Sequence, residues 1–115
     1  MKLPKAARLR RRREFLAVQE RGARLYAGEV LVLVKGAGAD RARIGITVSS
    51  KVANAVERNR VKRWVREAFR EIQEGLPPVD LVVIARKGAS EMGVAGARRA
   101  LQAAADRLRR EGSAR

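Results

Sequence analysis

The stretch KVANAVERNRVKRWVREAFR, residues 51–70, combines an apolar stripe with a dense set of basic side chains. With 100° of rotation per residue, one side of a helix that starts here carries Val61, Trp64, Val65, Ala68, Phe69 and Ile72. The other side carries Arg58, Lys62, Arg63, Arg66, Glu67 and Arg70. The pattern predicts a helix that packs on a core through one face and presents guanidinium groups on the other. We expect a polyanion as its partner, and the alternative is a solvated basic face on an ordinary surface helix.

Both ends of this helix carry recognisable signals. The regular part is expected to begin within residues 55–58, after a capping residue among Ser49, Ser50 and Asn54. Gly75, which stands just ahead of two prolines, is expected to end it.

Upstream of the basic helix, the sequence predicts one further helix and two or three strands. Residues 13–21 are expected to be helical, and Gly22 ends this helix. Residues 29–35 are a dense run of valine and leucine, which is typical of a buried strand. A turn at residues 36–40 leads to a second strand at 43–49, and we expect these two strands to pair as a hairpin.

The strand at residues 43–49 alternates between large and small side chains. Its large apolar positions are Ile44, Ile46 and Val48. Gly45 and Thr47 fall on the opposite face, where small side chains let a backbone or a ligand approach closely or leave room for a packing partner.

Downstream, residues 79–85 predict another buried strand and residues 94–110 a final helix. The chain is therefore expected to be one domain over residues 1–115, with a basic arm at 1–12 and a loose tail at 111–115. The element order α-β-β-β-α-β-α predicts an α+β fold, an α-β sandwich in which helices cover a small sheet.

The charge balance favours a nucleic-acid partner. Lysine and arginine together number 27 against 12 aspartates and glutamates, which gives a net charge of +15. Such a charge raises the affinity for nucleic acids or anionic membranes. The sequence has no apolar window of about 18 residues that could span a membrane, and no apolar segment typical of a signal peptide. We therefore expect a cytoplasmic protein with no membrane partner.

Catalytic residues are not expected in this chain. Cysteine and histidine are both absent, which excludes disulfides, thiol chemistry and histidine-based catalysis or metal binding. A protein nuclease holds metal ions with clustered carboxylates, whereas Asp40, Asp80 and Asp106 lie far apart in sequence and in different predicted elements. The polypeptide alone is therefore not expected to cleave a bond or to bind a metal.

The basic helix contains a motif that resembles the signature of the bacterial ribonuclease P protein subunit. The motif is NAVERNRVKR at residues 54–63, followed by Arg66 and by Ala68-Phe69. Further matches are Arg8-Leu-Arg10, Glu14-Phe15, Gly22, RIGITVSSK at 43–51 and LVVIARK at 81–87. The matches cover most of the chain, and the length and the element order agree with the family.

The resemblance implies a fold and a function. The fold resembles the second domain of a small-subunit ribosomal protein, with a left-handed crossover through the basic helix, against the usual handedness. The implied function is that of the protein subunit of an endonuclease that removes the 5′ leader from precursor tRNA. In this family the RNA subunit carries out the hydrolysis with Mg²⁺, which the RNA mainly binds. The implied partners are the RNA subunit and precursor tRNA, and no protein partner is required.

The resemblance also assigns roles to individual residues. Residues expected to bind the catalytic RNA are Arg58, Asn59, Arg60, Lys62, Arg63 and Arg66, and Asn59 is also expected to hold the local fold. Residues expected to line a cleft for the leader are Phe15, Arg8, Ser49, Lys51, Asn54 and Arg86. A leader base could stack on Phe15, and the alternative for this ring is plain core packing. Trp64 is expected to pack at the core or its rim.

The chain departs from the family at three aromatic positions, which here are Gln19, Leu31 and Leu33. A thinner stacking surface is therefore expected, with leader affinity that depends more on phosphate contacts and falls more steeply with salt. The alternative function is a ribosomal or assembly protein that binds structured RNA without processing it. A membrane-surface or DNA-compacting protein is a third class, but the sequence lacks the strongly apolar amphipathic helix or dimer motif that it would need.

Overall fold

The computed structural model describes residues 7–36 and 41–113, with side chains up to residue 110. The helices are α1 Arg12–Arg21, α2 Ala55–Ile72 and α3 Gly93–Ser113. The strands are β1 Ala23–Ala27, β2 Val30–Gly36, β3 Arg43–Thr47 and β4 Val79–Ala85. Short 3-10 turns lie at Gln73–Gly75 and Ala89–Glu91. The element order and the α+β class confirm the prediction.

The four strands form one sheet in the order β1-β2-β4-β3. The expected hairpin between the strands at 29–35 and 43–49 is wrong, because β2 pairs antiparallel with β1 and with β4. β3 is instead the parallel neighbour of β4, to which α2 connects it. The physical reason is that β2 is buried on both faces, which requires a central position in the sheet. The handedness of the β3-α2-β4 crossover stays an expectation from the resemblance.

The hairpin partner of β2 is β1. This strand was part of the predicted element order, but no residue range was predicted for it. Ala27 pairs with Val30, which leaves a two-residue turn at Gly28 and Glu29. Gly28 has a φ of 57°, a conformation that glycine adopts readily and that tight hairpin turns require. The turn predicted at residues 36–40 lies largely outside the described residues.

The helices cover the two faces of the sheet unequally. The main core lies between the sheet and the pair α2 and α3, and it includes Phe69, which is completely buried. Burial of a side chain of this size stabilises the fold by about 2–3 kcal/mol. The other face, called here the α1 face, carries a smaller core of Leu9, Val18, Leu31, Leu33 and Val82. Among the residues that the structure describes, α1 and Leu9 of the preceding segment pack on this face, and Tyr26 at its β1 edge is exposed.

A cluster of charged side chains joins α1 to the sheet. Arg43 on β3 donates to both carboxylate oxygens of Asp80 on β4 at 2.9 Å. The same guanidinium donates to Glu14 on α1 at 2.9 Å. The amides of Arg10 and Arg11 donate to the other oxygen of Glu14 at 3.1 and 3.0 Å, so this carboxylate also caps α1. Arg43 therefore sets the position of α1 on the sheet.

Both ends of the chain are more regular than expected. In the basic arm, Leu9 donates its amide to the carbonyl of Ile44 at 2.8 Å, and Arg8 forms a single parallel bridge with Ile44. Residues 8 and 9 thus extend the sheet beyond β3. The loose tail predicted from residue 111 is wrong for residues 111–113, because α3 continues to Ser113. Residues 114 and 115 lie outside the described residues.

Candidate nucleic-acid interface

Helix α2 begins where the sequence predicted, and Asn54 is the capping residue. Its side-chain oxygen accepts from the amide of Glu57 at 2.9 Å. In return, the amide of Asn54 donates to the carboxylate of Glu57 at 2.9 Å. This reciprocal pair satisfies two amides at the start of the helix and favours one rigid orientation for the basic residues that follow.

The two faces of α2 are divided as predicted. Val61, Val65, Ala68 and Phe69 are buried, and Trp64 and Ile72 pack at the rim of the main core. The helical rotation then places Asn59, Lys62, Arg63 and Arg66 within about 100° of one another on the solvent side. These four residues are called here the outer stripe. Asn59, Arg63 and Arg66 are exposed and Lys62 is half-buried, so an extended polyanion can reach this side of α2.

Arg58 and Arg60 flank the outer stripe on opposite sides. Arg60 is exposed. Arg58 is half-buried and donates to the carbonyl of Ala53 at 3.0 Å, so it also holds the turn that enters α2. The Asn59 side chain is exposed and makes no hydrogen bond with the residues that the structure describes. The fold-holding role expected for Asn59 stays a prediction, and Asn54 and Arg58 make the side-chain hydrogen bonds at the start of α2.

Arg8 forms its bridge with Ile44 at the β3 edge of the sheet, and its expected place in the leader cleft stays a prediction. The neighbouring charge of Arg8 acts on Arg66, whose pKa is lowered first by partial burial and then by this like charge. The Nε atom of Arg8 is buried and has no hydrogen-bond partner among residues 7–36 and 41–113. Two adjacent guanidinium groups, one with an unpaired donor, favour a bound anion.

Phe15 lies on the α1 face of the sheet, where its ring packs on the sheet and also borders a cleft. Its ring packs against the backbone of Gly45, where an added Cβ would come within 2.5 Å of the ring. The ring is only partly buried, and it also borders a shallow cleft of about 410 Å³. This α1 cleft is lined by Arg10, Arg12, Phe15, Leu16, Gln19 and Thr47. The small side chain at Gly45 thus serves a packing partner, and the ring still faces the cleft.

The other residues expected in the leader cleft lie in different places. Ser49 and Lys51 are exposed in the turn that follows β3, at the same end of the sheet as Arg86, which follows β4. Arg86 is exposed and lies on the α1 face, where its guanidinium stands over the ring of Tyr26. Asn54 is occupied in capping α2. Phe15 and Arg86 therefore lie on the α1 face, Ser49 and Lys51 lie at the same end of the sheet as Arg86, and Asn54 caps α2.

Sequence reasoning missed the floor of this cleft. The register aligns Tyr26, Leu31, Ile84 and Thr47 in one row across the four strands. Leu31 and Ile84 belong to the core beneath α1, so the whole row faces the α1 side. The alternation of Arg24 and Tyr26 with Leu25 and Ala27 could have indicated a strand, but its position in the sheet depends on distant pairing.

The sequence and the fold both match proteins of one family. A family model described as Ribonuclease P matches residues 3–109. The Ribonuclease P protein component of Citrifermentans bemidjiense is 41% identical over 108 residues, 94% of this chain and 93% of that protein. This chain belongs to the ribonuclease P protein family. It is thus a subunit of a ribonucleoprotein endoribonuclease that acts in tRNA 5′ processing.

Solved structures of ribonuclease P proteins have the same fold. The protein from Thermotoga maritima is 39% identical and superposes with a TM-score of 0.77, covering 88% of this chain and 96% of that chain. The protein from Staphylococcus aureus is 31% identical and superposes with a TM-score of 0.78, covering 86% and 92%.

The described part of this ribonuclease P protein offers poor ligands for a metal ion. No group of three or more acidic side chains comes together within it. Glu14 and Asp80 converge, but both form ion pairs with Arg43. The backbone amide of Arg11 is the main cause that lowers the pKa of Glu14, ahead of Arg43. Across the same residues, no helix combines the length and apolarity needed to cross a membrane.

Proposed function

We propose that this protein binds the ribonuclease P RNA through the outer stripe of α2 and the 5′ leader of precursor tRNA in the α1 cleft. The observation that carries the proposal is the division of α2. Its apolar side is buried in the core, and Lys62, Arg63 and Arg66 project from one solvent face of a capped helix. A net charge of +15 supports RNA as the partner.

The outer stripe suits the backbone of a folded RNA. Arginine presents a planar fork of donors that matches phosphate oxygens, and such contacts set orientation without reading sequence. Arg8 beside Arg66 extends this basic surface towards the sheet edge. We therefore assign Arg8 to the catalytic RNA rather than to the leader.

The α1 cleft suits a single strand of RNA. Phe15 offers a ring on which a base can stack, while Arg10 and Arg12 border the same cleft and can pair with phosphates. Arg86, Lys51 and Ser49 complete the polar edge of the α1 face. The leader would thus be held by stacking and charge, which tolerates different leader sequences.

Hydrolysis is assigned to the RNA subunit. Mg²⁺ bound mainly by that RNA would supply the electrostatic stabilisation that phosphodiester cleavage requires. The protein's own part is to hold the leader and the catalytic RNA together, which raises the effective concentration of substrate at the RNA active site. We propose a cytoplasmic location, since the RNA substrate is made there, and no further protein partner.

Reconstitution tests the proposal. The protein is mixed with a bacterial ribonuclease P RNA and precursor tRNA at low Mg²⁺, and cleavage at the mature 5′ end is compared with that by RNA alone. We expect stimulation that Arg63→Ala and Arg66→Ala reduce. Arg99→Ala removes the same charge from an exposed position on α3 and serves as the matched control.

The salt dependence of RNA binding separates a phosphate contact from loss of folding. Arg63→Ala is expected to reduce the slope of log affinity against log salt by about one, and Arg99→Ala to leave it unchanged. Absence of stimulation by the folded protein, with RNA that is active at high Mg²⁺, would contradict the proposal. It would favour a protein that binds structured RNA without processing it.

A further inference from the structure

Tyr26 is the most exposed large side chain on the α1 face of the sheet, and no role has been assigned to it so far. It lies on β1, the strand at the opposite edge from β3. Its ring is 61% exposed. Tyrosine rings usually bury most of their apolar surface, so an exposed ring on an open sheet face indicates a binding surface.

The strand register places Tyr26 in line with the α1 cleft. Tyr26 pairs with Leu31, Leu31 with Ile84, and Ile84 with Thr47. Thr47 in turn lines the α1 cleft together with Phe15. Three strand spacings separate Tyr26 from Thr47, a distance of roughly 14 Å. The row thus runs from Thr47, beside Phe15 at one edge of the sheet, to Tyr26 at the other edge, and Leu31 within it is buried beneath α1.

Tyr26 lies beside a position at which this chain lacks the aromatic side chain that the family resemblance implies. Leu31 stands where the family resemblance implies an aromatic side chain, and Tyr26 is the cross-strand partner of Leu31. Side chains paired in this way lie about 5 Å apart on the same face. An aromatic ring is therefore present on the α1 face after all, one strand further from Phe15.

Arg86 adds a positive charge at the Tyr26 end of the row. Its guanidinium carbon lies 5.2 Å from the centre of the Tyr26 ring, a cation–π distance. Its amide donates to the carbonyl of Glu29 at 2.8 Å, which fixes the backbone beside the hairpin turn. Glu29 is the acidic residue of this region, and the protein as a whole carries +15. The surface is complementary to a polyanion with aromatic bases.

We propose that Tyr26 and Arg86 form a second stacking site for the 5′ leader, at the opposite edge of the sheet from the Phe15 cleft. A leader base stacks on the tyrosine ring or on the guanidinium plane above it, and Arg86 pairs with a leader phosphate. This proposal rests on the leader cleft proposed above, and it specifies the edge of the sheet at which the leader leaves the protein. The stacking surface would then extend towards β1 instead of being limited to Phe15.

The length of the leader provides the test. The dissociation constant of the reconstituted holoenzyme is measured for a precursor tRNA whose leader can cross the sheet and for one whose leader is too short to reach Tyr26. Tyr26→Ala is expected to weaken binding of the long-leader substrate about tenfold, because one stacked base is lost. Binding of the short-leader substrate is expected to remain unchanged.

Two further variants separate the ring from the charge. Tyr26→Phe keeps the ring and is expected to bind both substrates like the unsubstituted protein. Arg86→Ala is expected to weaken the long-leader complex and to reduce its salt slope by about one, whereas Arg86→Lys retains that slope. Since the Tyr26 side chain is exposed, equal melting temperatures of the variants will show that folding is preserved.

The outcomes distinguish this inference from the proposed leader cleft. Suppose that the unsubstituted holoenzyme prefers the long leader and Tyr26→Ala binds it equally well, or weakens both substrates alike. Either result overturns the Tyr26 site and leaves the Phe15 cleft standing. If the unsubstituted holoenzyme binds both substrates and mature tRNA equally, the leader cleft itself fails and the Tyr26 site fails with it.

Discussion

At the scale of single residues, the stability of the fold depends most on side chains that several contacts hold in one orientation. Arg43 holds three contacts to two carboxylates, and Asp80 is only 8% exposed. The hydrogen bonds to Asp80 raise the pKa of Arg43, which keeps the guanidinium charged. Removal of Arg43 would leave a buried carboxylate without its counter-charge.

Arg43→Ala is therefore expected to lower the free energy of unfolding by about 3 kcal/mol. Arg98→Ala is the matched control, because Arg98 also holds a carboxylate with two nitrogens, that of Glu71. Both members of that pair are about half exposed, so its loss is expected to destabilise the fold much less than the loss of Arg43. Urea denaturation of both variants measures the difference, and equal losses would contradict the special role of Arg43.

Gly45→Ala tests the contact between β3 and Phe15. The added methyl would lie 2.5 Å from the ring, so Phe15 must move. We expect a loss of about 1–3 kcal/mol in the free energy of unfolding and weaker leader binding. Gly36→Ala is the control, since a methyl there meets nothing within 4 Å. Unchanged stability and leader binding in Gly45→Ala would show that Phe15 is free to shift.

Acid is expected to destabilise the fold through Glu14. Hydrogen bonds from the amide of Arg11 lower the pKa of this carboxyl in the folded protein, followed by the influence of Arg10 and Arg43. A group whose folded pKa is depressed stabilises the fold fully above its ordinary value of 4.5, and this stabilisation is lost as the pH falls below it. Glu14→Gln should therefore lower stability at neutral pH and show a smaller loss on acidification, as measured by urea midpoints across this range.

At the scale of elements, α2 depends both on residues next to its start and on packing against distant parts of the chain. Its start depends on the reciprocal bonds between Asn54 and Glu57, and its orientation depends on the buried side that packs on the sheet and α3. The outer stripe is rigid because both conditions hold. A loss of the cap would loosen the first turn, which carries Arg58.

Asn54→Ala is expected to lower the free energy of unfolding by about 1 kcal/mol and the affinity for the catalytic RNA with it. Asn59→Ala removes an exposed amide from the same helix and is expected to leave stability within about 0.5 kcal/mol. Thermal melts of the two variants measure this contrast. A larger loss at Asn59 than at Asn54 would restore the fold-holding role first expected for Asn59.

At the scale of the whole molecule, excess positive charge opposes folding. The excess basic side chains, which give a net charge of +15, repel one another in the compact state. The repulsion between Arg8 and Arg66 is one example, at the edge of the sheet. Anions that bind the folded protein would relieve it. A bound RNA is expected to have the same effect, which would couple folding to RNA binding.

Sulfate is therefore expected to raise the melting temperature more than chloride does at equal ionic strength. Arg8→Ala should reduce this difference, because it removes one of the two adjacent guanidinium groups, while Arg99→Ala should retain more of it. Differential scanning calorimetry with the two salts measures both. A melting temperature that does not respond to sulfate would contradict the anion-coupled folding.

The sequence by itself determined the features that repeat at short range. Helical periodicity and capping residues located α2 and divided it into a buried side and a basic side, and the valine and leucine runs located β2 and β4. The family motif indicated which basic residues of α2 to propose for contact with RNA. Each of these depends on neighbours within a few positions along the chain, which sequence patterns record directly.

Only the tertiary structure decided which strands pair and which side chains meet across the sheet. The hairpin partner of β2 is β1 rather than β3, because the doubly buried β2 takes a central place in the sheet. The charge of Arg8 acts on Arg66 of α2. Tyr26 lies in the same cross-strand row as Thr47. These contacts join residues far apart in the chain, and their geometry follows from the competition of whole elements for the core.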